Sequence, residues 1–357
     1  MTRACRQCLG RSWLLGRLGG HLEVQRGQLG DLLALDDDEL IAAVGGDQRR
    51  SIQRERARCD VAELASLARR NRLEPLCRCD PHYPLRLGDL PAPPAVLYVA
   101  GGLERFLQLG QAEPVAVIGA RRASEYGVEV ARSLGRGLAT AGLTVVSGMA
   151  RGIDAAAHRG ALERGCTIAV LPGPAERPYP AGQRSLYQAI LTGGVAVSEL
   201  PCGTGVRKWC FLARNRLIAA LAAMVVVVEA GERSGALPTA DTAEILGRPV
   251  GAVPGRVTSA QARGPNALLA TGATVVRDVQ DVLDRVYGIG VRSARADRRA
   301  LAPDQARLLN ALSDDLSVAA ALRRAGIAPE HGLAAISELE LGGWIRRGPG
   351  SAVTVIP

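Results

Sequence analysis

The densest chemical signal in this sequence is Arg207-Lys208-Trp209-Cys210-Phe211, followed closely by Arg214-Asn215-Arg216. Two aromatic rings stand among clustered cations in a chain that is only 3% aromatic, has two phenylalanines in all, and carries Lys208 as its one lysine. Cations that track phosphates, beside a ring on which a base can stack at about 1–3 kcal/mol per base, suit single-stranded nucleic acid. The competing reading buries Phe211 in the core and leaves the charges solvated. Lys+Arg outnumber Asp+Glu by 44 to 35, a net charge of +9, and such a balance favours a polyanionic partner.

Other segments offer weaker anion-binding chemistry. Gly119-Ala120-Arg121-Arg122-Ala123-Ser124 follows an apolar run. A dinucleotide fingerprint would need glycine at 121 and 124 for backbone approach to a pyrophosphate. Arg121 could instead reach a phosphate as a charge-assisted donor, or simply pair with a nearby carboxylate. Ser147-Gly148-Met149-Ala150-Arg151-Gly152-Ile153-Asp154 sets a hydroxyl and glycines before a helix, where an anion is favoured. Gly231 to Thr239, with Ser234, repeats that theme, and no P-loop pattern occurs anywhere. The four histidines, His21, His82, His158 and His331, are scattered and suggest no catalytic or metal constellation. No cofactor and no metal are expected. Cys5-x2-Cys8 with Cys77-x-Cys79 would make a zinc site only if the fold brought the pairs together, and the second spacing is unusual.

These residues need elements to position them. From residue 114 short apolar runs alternate with helical stretches: strands at 115–119, 144–147, 167–171, 195–198, 224–229, 249–253 and 274–277. Between them lie helices at 124–141, from near Asp154, around 185–190, and at 214–223, 239–246 and 279–286. Continuously apolar strands separated by helices imply a parallel sheet covered on both faces. Right-handed crossovers then gather the strand-to-helix loops at one sheet edge. The expected fold class is α/β, an extended Rossmann-like parallel sheet core with a small helical N-terminal domain and a C-terminal winged-helix domain. The expected divisions are 1–78 helical, 79–290 Rossmann-like, 291–300 linker and 301–357 winged helix. Leu32, Leu33, Leu35, Leu40, Ile41 and Val44 are spaced for the helical part, and Asp36–Glu39 reads as a solvated helix start. At the other end, Gly342-Gly343-Trp344-Ile345 and the run 352–356 suggest the wing.

The longest apolar run, Leu217 to Val228, falls well short of the ~20 residues that span a bilayer. Arg3, Arg6 and Arg11 interrupt any signal-peptide core. Eight cysteines, some in apolar strand-like segments, fit a reducing compartment. The cytoplasm, with no membrane contact, is the expected location.

Taken in order, the motifs resemble the DNA-processing protein A (DprA/Smf) family. They are Asp80-Pro81-His82-Tyr83-Pro84, Pro94-Ala95-Val96-Leu97-Tyr98, Gly119–Arg121, Ser147–Asp154 with Ala157-His158, Tyr179-Pro180, Ser198-Glu199, Phe211–Arg216, Ser234–Ala240 and Pro254-Gly255. The resemblance covers roughly residues 80–285. It implies a non-enzymatic protein that binds single-stranded DNA during natural transformation, loads the RecA recombinase onto it, and acts as a homodimer. By the same resemblance Arg121, Lys208, Phe211, Arg214, Asn215 and Arg216 would line the DNA pocket, joined by Ser147, Gly148 and Ser234 from the neighbouring loops. The family usually has proline where Leu212 stands, glycine at Ala220 and serine at Ala120.

Two other functions compete. A nucleoside-monophosphate phosphoribohydrolase would need a glutamate where Thr242 stands. A transcriptional regulator would read duplex DNA with 328–341, yet that segment carries Glu330, Glu338 and Glu340 and no Arg or Lys, which suits phosphates poorly.

Overall fold

Valine, isoleucine and alanine dominate the strands of the central sheet, and seven consecutive strands, from Val96–Ala100 to Val250–Ala252, are buried along their whole length. The computed structural model describes residues 4–293, 301–314, 316–342, 344–348 and 353–355. The sheet comprises β1 (Leu73–Cys77), β2 (Val96–Ala100), β3 (Val115–Ile118), β4 (Val145–Ser147), β5 (Thr167–Val170), β6 (Val195–Ser198), β7 (Met224–Val227), β8 (Val250–Ala252) and β9 (Thr274–Val275). Its order is β1-β2-β6-β5-β4-β3-β7-β8-β9. From β6 to β9 every pairing is parallel. At the other edge β2 runs antiparallel to β6, and β1 antiparallel to β2.

The expected Rossmann-like α/β core is present, with this antiparallel hairpin as an addition. From β3 the chain steps through β4 and β5 to β6, then returns to place β7 on the other side of β3. The direction of winding therefore reverses between β3 and β7, and ligands in open α/β sheets bind beyond the carboxyl ends of strands at such a point.

Contacts divide the chain into two units, Met1–Ser293 and Ala294–Pro357. Within the first, the residues expected to form a separate helical domain contribute β1 to the sheet and share two cores with it. Cys8, Leu9, Ala65 and Ala68 pack with Tyr98, Leu171 and Ile190. Leu14, Leu18, Leu22, Leu40 and Ile41 surround Trp209 and Ala213. The acidic run is a helix start as expected: Asp36 caps Asp37–Val44 in a capping box with Glu39, while Asp37 pairs with Arg11 and Arg56.

In the second unit three helices, Pro303–Ser313, Val318–Ala325 and Pro329–Leu341, enclose Leu308, Leu322, Ile336, Leu339 and Ile345. An antiparallel hairpin follows, β10 (Ile345–Arg347) with β11 (Val353–Val355). Of the expected linker 291–300, residues 294–300 lie outside the described residues, as do Gly343, Ala352 and Ile356. No helix among the described residues is long and apolar enough to cross a membrane.

His158 shows how tightly the sheet is covered. It sits on the helix Ile153–Leu162, fully buried, with Nδ1 2.8 Å from the Thr167 hydroxyl on β5. Burial, aided by the Arg214 and Arg159 charges, pushes its pKa down from 6.5 to about 3. The folded chain therefore keeps this ring neutral, while the unfolded chain protonates it below about pH 6.5. Stability from His158 is complete above that value and falls as pH drops toward 3. Wild type should lose up to about 1.4 kcal/mol per pH unit more than His158→Gln in this window, measured by denaturant titration. Parallel curves for the two proteins would contradict the assignment.

Candidate functional site

Beyond the carboxyl ends of β3 and β7 lies a cavity of about 660 Å³, within the roughly 300–1,000 Å³ usual for ligand sites. Its walls include Gly119–Arg122 after β3, Ala150 and Asp154 after β4, Gly231 and Arg233–Ala236 after β7, and Ala260-Gln261 after β8. The helix Lys208–Leu221 supplies Phe211, Leu212, Arg214, Asn215 and Ile218.

Backbone bonds fix these loops to one another. Ala120 N–H donates to the Glu229 carbonyl (2.6 Å), and Ile153 N–H to the Ala120 carbonyl (3.2 Å). The buried Glu229 carboxylate accepts from the Ser124 N–H (2.8 Å) and hydroxyl. Ser124 in turn caps the helix Glu125–Thr140 through the Gly127 N–H. Two backbone conformations with positive φ belong to this region, Met149 (54°) and Gly152 (75°). A Cβ at 152 would lie 2.3 Å from the Ala120 carbonyl oxygen, so only glycine permits the approach.

At the base of the cavity the guanidinium of Arg214, 6% exposed, faces the Asp154 carboxylate at 3.9 Å. Asp154 also accepts from the N–H groups of Gly148 (3.2 Å) and Ala150 (3.4 Å). Burial pushes the Asp154 carboxyl up, opposed by Arg214 and by these amides. Burial pushes Arg214 down, Asp154 opposes this, and the nearby Arg121 charge adds to it. Arg214 Nε and Nη1 are buried donors with no hydrogen-bond partner among the described residues. Buried donors left unmade cost about 1–3 kcal/mol each, so the cavity floor holds unused capacity for an anion. At the mouth, Arg121 lies over the ring of Phe211, 5.0 Å from its centroid. Tyr179 meets the same ring edge-on at 5.3 Å. The exposed Arg122 and Arg233 add positive charge to the rim.

The expected site residues are therefore not all alike in position. Arg121, Phe211, Arg214, Asn215 and Ser234 line one cavity. Asn215 is buried, and its amide donates to the Gly235 carbonyl (3.0 Å), holding the loop after β7. Gly148 supports the floor from below: a Cβ there would fall 1.1 Å from Arg214 Nη1. Ser147 is fully buried and donates to the Val117 carbonyl (2.7 Å), tying β4 to β3 without lining the cavity. Lys208 is exposed, one turn before Phe211 and on the same side of the helix. Arg216 faces another way: it pairs with the buried Glu199, donates to the Ala92 carbonyl (2.6 Å), and lines a different cavity beside the N-terminal helices. Trp209, read with Phe211 as a stacking ring, is fully buried in the N-terminal core.

Arg122, Arg233, Asp154 and Gln261, which line the cavity, and Tyr179, which meets the Phe211 ring, were not picked out by sequence reasoning. Tyr179-Pro180 and Asp154 belonged to quoted motifs, while Gln261 lies in a loop after β8 that has no aromatic residue and Arg256 as its one charge. The four cysteines of the candidate metal set do converge: the Sγ atoms of Cys5, Cys8, Cys77 and Cys79 all lie within 4.8 Å of one another.

Comparison with known proteins follows the same outline. The family described as DNA recombination-mediator protein A matches residues 74–287, and the DprA winged helix domain matches 292–351. The putative DNA processing protein DprA of Mycobacterium tuberculosis is 48% identical over 190 residues, 53% of this chain and 49% of that protein, so the match spans about half the length of that relative. Protein Smf of Escherichia coli is 35% identical over 282 residues, 76% of this chain and 74% of its own. Among solved structures, DNA processing protein A from Streptococcus pneumoniae superposes with a TM-score of 0.64 at 30% identity, covering 78% of this chain and 96% of that one. DNA processing protein A from Helicobacter pylori, described for its single-stranded DNA binding mode, gives a TM-score of 0.52 at 32% identity over 57% of this chain and 92% of that one.

Gly148→Ala should force Arg214 from its place. Overpacking of this kind lowers the unfolding free energy by about 1–3 kcal/mol, readable by denaturant melts. Unchanged stability would mean that the guanidinium can relocate freely.

Proposed function

The chain belongs to the DNA recombination-mediator protein A family, and on that footing we propose that its cavity binds single-stranded DNA. The observation that carries the reading is the stack at the mouth, where Arg121 and Tyr179 hold Phe211 beside the buried, under-bonded Arg214. A base stacks on or beside Phe211 while Arg121, Arg122 and Arg233 follow the phosphates. The donors of Arg214 receive a phosphate or a polar base edge at the floor. Lys208 meets the strand one helical turn further out. Ring stacking and cation–phosphate contacts suit any base, so the binding is weakly dependent on sequence. In this reading Asn215, Gly148 and Ser147 position the site, and Arg216 holds the helix against the N-terminal part.

The protein works as a binding protein, not an enzyme. The hydroxyl of Thr242, which stands where a phosphoribohydrolase glutamate would be, bonds to the Pro238 carbonyl (2.8 Å). In the cell the chain protects incoming DNA during natural transformation, in the cytoplasm and as a homodimer, and passes it to the RecA recombinase. The winged-helix unit serves a protein contact, because its helix Pro329–Leu341 presents glutamates and an exposed Leu333 in place of cations.

Gel-shift titrations of single- and double-stranded DNA test this directly, with tighter binding to single strands expected. Arg121→Ala should flatten the log–log salt dependence by about 0.7 for a lost phosphate contact, and Lys208→Ala likewise. Phe211→Ala should cost about 1–3 kcal/mol with little change in slope. Wild-type affinity in both the Arg121 and Phe211 variants would overturn the reading, as would steady release of free base from nucleoside monophosphates. Removal of residues 301–357 should leave single-strand affinity nearly intact, and loss of binding in a folded truncation would contradict the role given to that unit.

A further inference from the structure

Outside the cavity, Cys5, Cys8, Cys77 and Cys79 are the one group among the described residues whose His, Cys, Asp or Glu atoms could together hold a metal ion. Cys5 is the residue preceding the helix Arg6–Arg17, and Cys8 lies on its first turn. Cys77 ends β1, and Cys79 lies in the turn just beyond it. The two pairs are about seventy residues apart in sequence, so their meeting is a product of the fold. We propose that Cys5, Cys8, Cys77 and Cys79 form a structural tetrathiolate site for one zinc-class divalent ion, which fastens the first helix to the edge of the sheet.

Three observations support it. All four Sγ atoms lie within 4.8 Å of one another, and Cys8 and Cys79 are 3.7 Å apart. Tetrahedral zinc with Zn–S bonds of about 2.3 Å sets its sulfurs about 3.8 Å apart. A disulfide needs about 2.05 Å, and all eight cysteines of the chain are free. Second, the Cys5 backbone N–H donates to Cys77 Sγ at 3.4 Å, so a bond of the kind that orients thiolate ligands links the two pairs. Third, Cys8 and Cys77 are buried in the core that holds Leu9, Ala68 and Tyr98, whereas Cys79 reaches the surface. Bound ligands can therefore be held rigidly while the ion still has a path in.

An all-sulfur set selects a soft ion over calcium or magnesium. Four protein ligands complete the coordination sphere, leaving no open position for substrate, so the role is structural. The thiols lose four protons as the ion binds, and the resulting doubly negative centre lies next in sequence to Arg6 and Arg78, both exposed. This inference stands independently of the nucleic-acid reading.

The test uses the full-length chain, purified under reducing conditions without chelator and analysed for metals. Zinc should be present at about one equivalent, four of the eight thiols should react with a thiol reagent only after treatment with a strong chelator, and chelation should lower the melting temperature. Cobalt exchanged into the stripped protein should give the intense visible absorption of a tetrahedral thiolate complex. Cys79→Ser, at the surface, should lose most of the zinc while remaining folded, whereas Cys59→Ser, outside the cluster, should retain it. The proposal fails if zinc stays below about a tenth of an equivalent after reconstitution. It fails equally if Cys79→Ser keeps full zinc, if iron occupies the purified protein instead, or if mass analysis finds the four thiols joined as disulfides.

Discussion

A single buried guanidinium constrains the whole carboxyl edge of the sheet. Arg214 lies between Asp154, which follows β4, and the loops that follow β3 and β7, and it fits only because residue 148 has no side chain. Its partner carboxylate is in turn held by the amides of Gly148 and Ala150. Removing either charge would strand the other in a low-dielectric setting at a cost of about 3–5 kcal/mol. Yet the pair is long, at 3.9 Å, and leaves two Arg214 nitrogens unbonded. The arrangement is closed enough to fix the loops and incomplete enough to accept an anion. Arg121, whose charge further disfavours Arg214 in the free chain, biases the cavity the same way.

Much of this was legible in the sequence because its physics is local. Strands from Val115 to Ala252 announce themselves as continuous apolar runs, since both faces are covered. The edge hairpin was not legible: β1 contains Pro75 and only five residues, and the pairing that joins the hairpin to the sheet, Tyr98 of β2 with Ser198 of β6, brings together distant parts of the chain. The helix Arg263–Ala270 begins Arg-Gly-Pro, a sequence that advertises a turn. The helix carrying Phe211 starts at Lys208, about six residues earlier than its pattern suggests, because Glu23 accepts the N–H of Trp209 at 3.0 Å. A carboxylate at a helix N-terminus is favourable, but this one arrives from another part of the molecule.

The cations illustrate the same limit more sharply. Arg214 and Arg216 are indistinguishable by composition, yet positions two apart on a helix point to different sides. One enters the cavity, and the other meets Glu199 beneath the N-terminal helices. Phe211 and Trp209 divide likewise. A cluster read along the chain as one patch is thus split by helical geometry into a cavity wall and an anchor for the fold. The four cysteines are the opposite case, remote in sequence and joined in space, where spacing alone had argued against them.

The first turn of the helix Lys208–Leu221 thus has two attachments: Trp209 is gripped by Leu18 and Leu22 and their neighbours, and Phe211 opens toward the cavity. Both side chains hang from the same few backbone dihedrals. The N-terminal helices, by holding the Trp209 ring, therefore set where Phe211 stands beside the cavity.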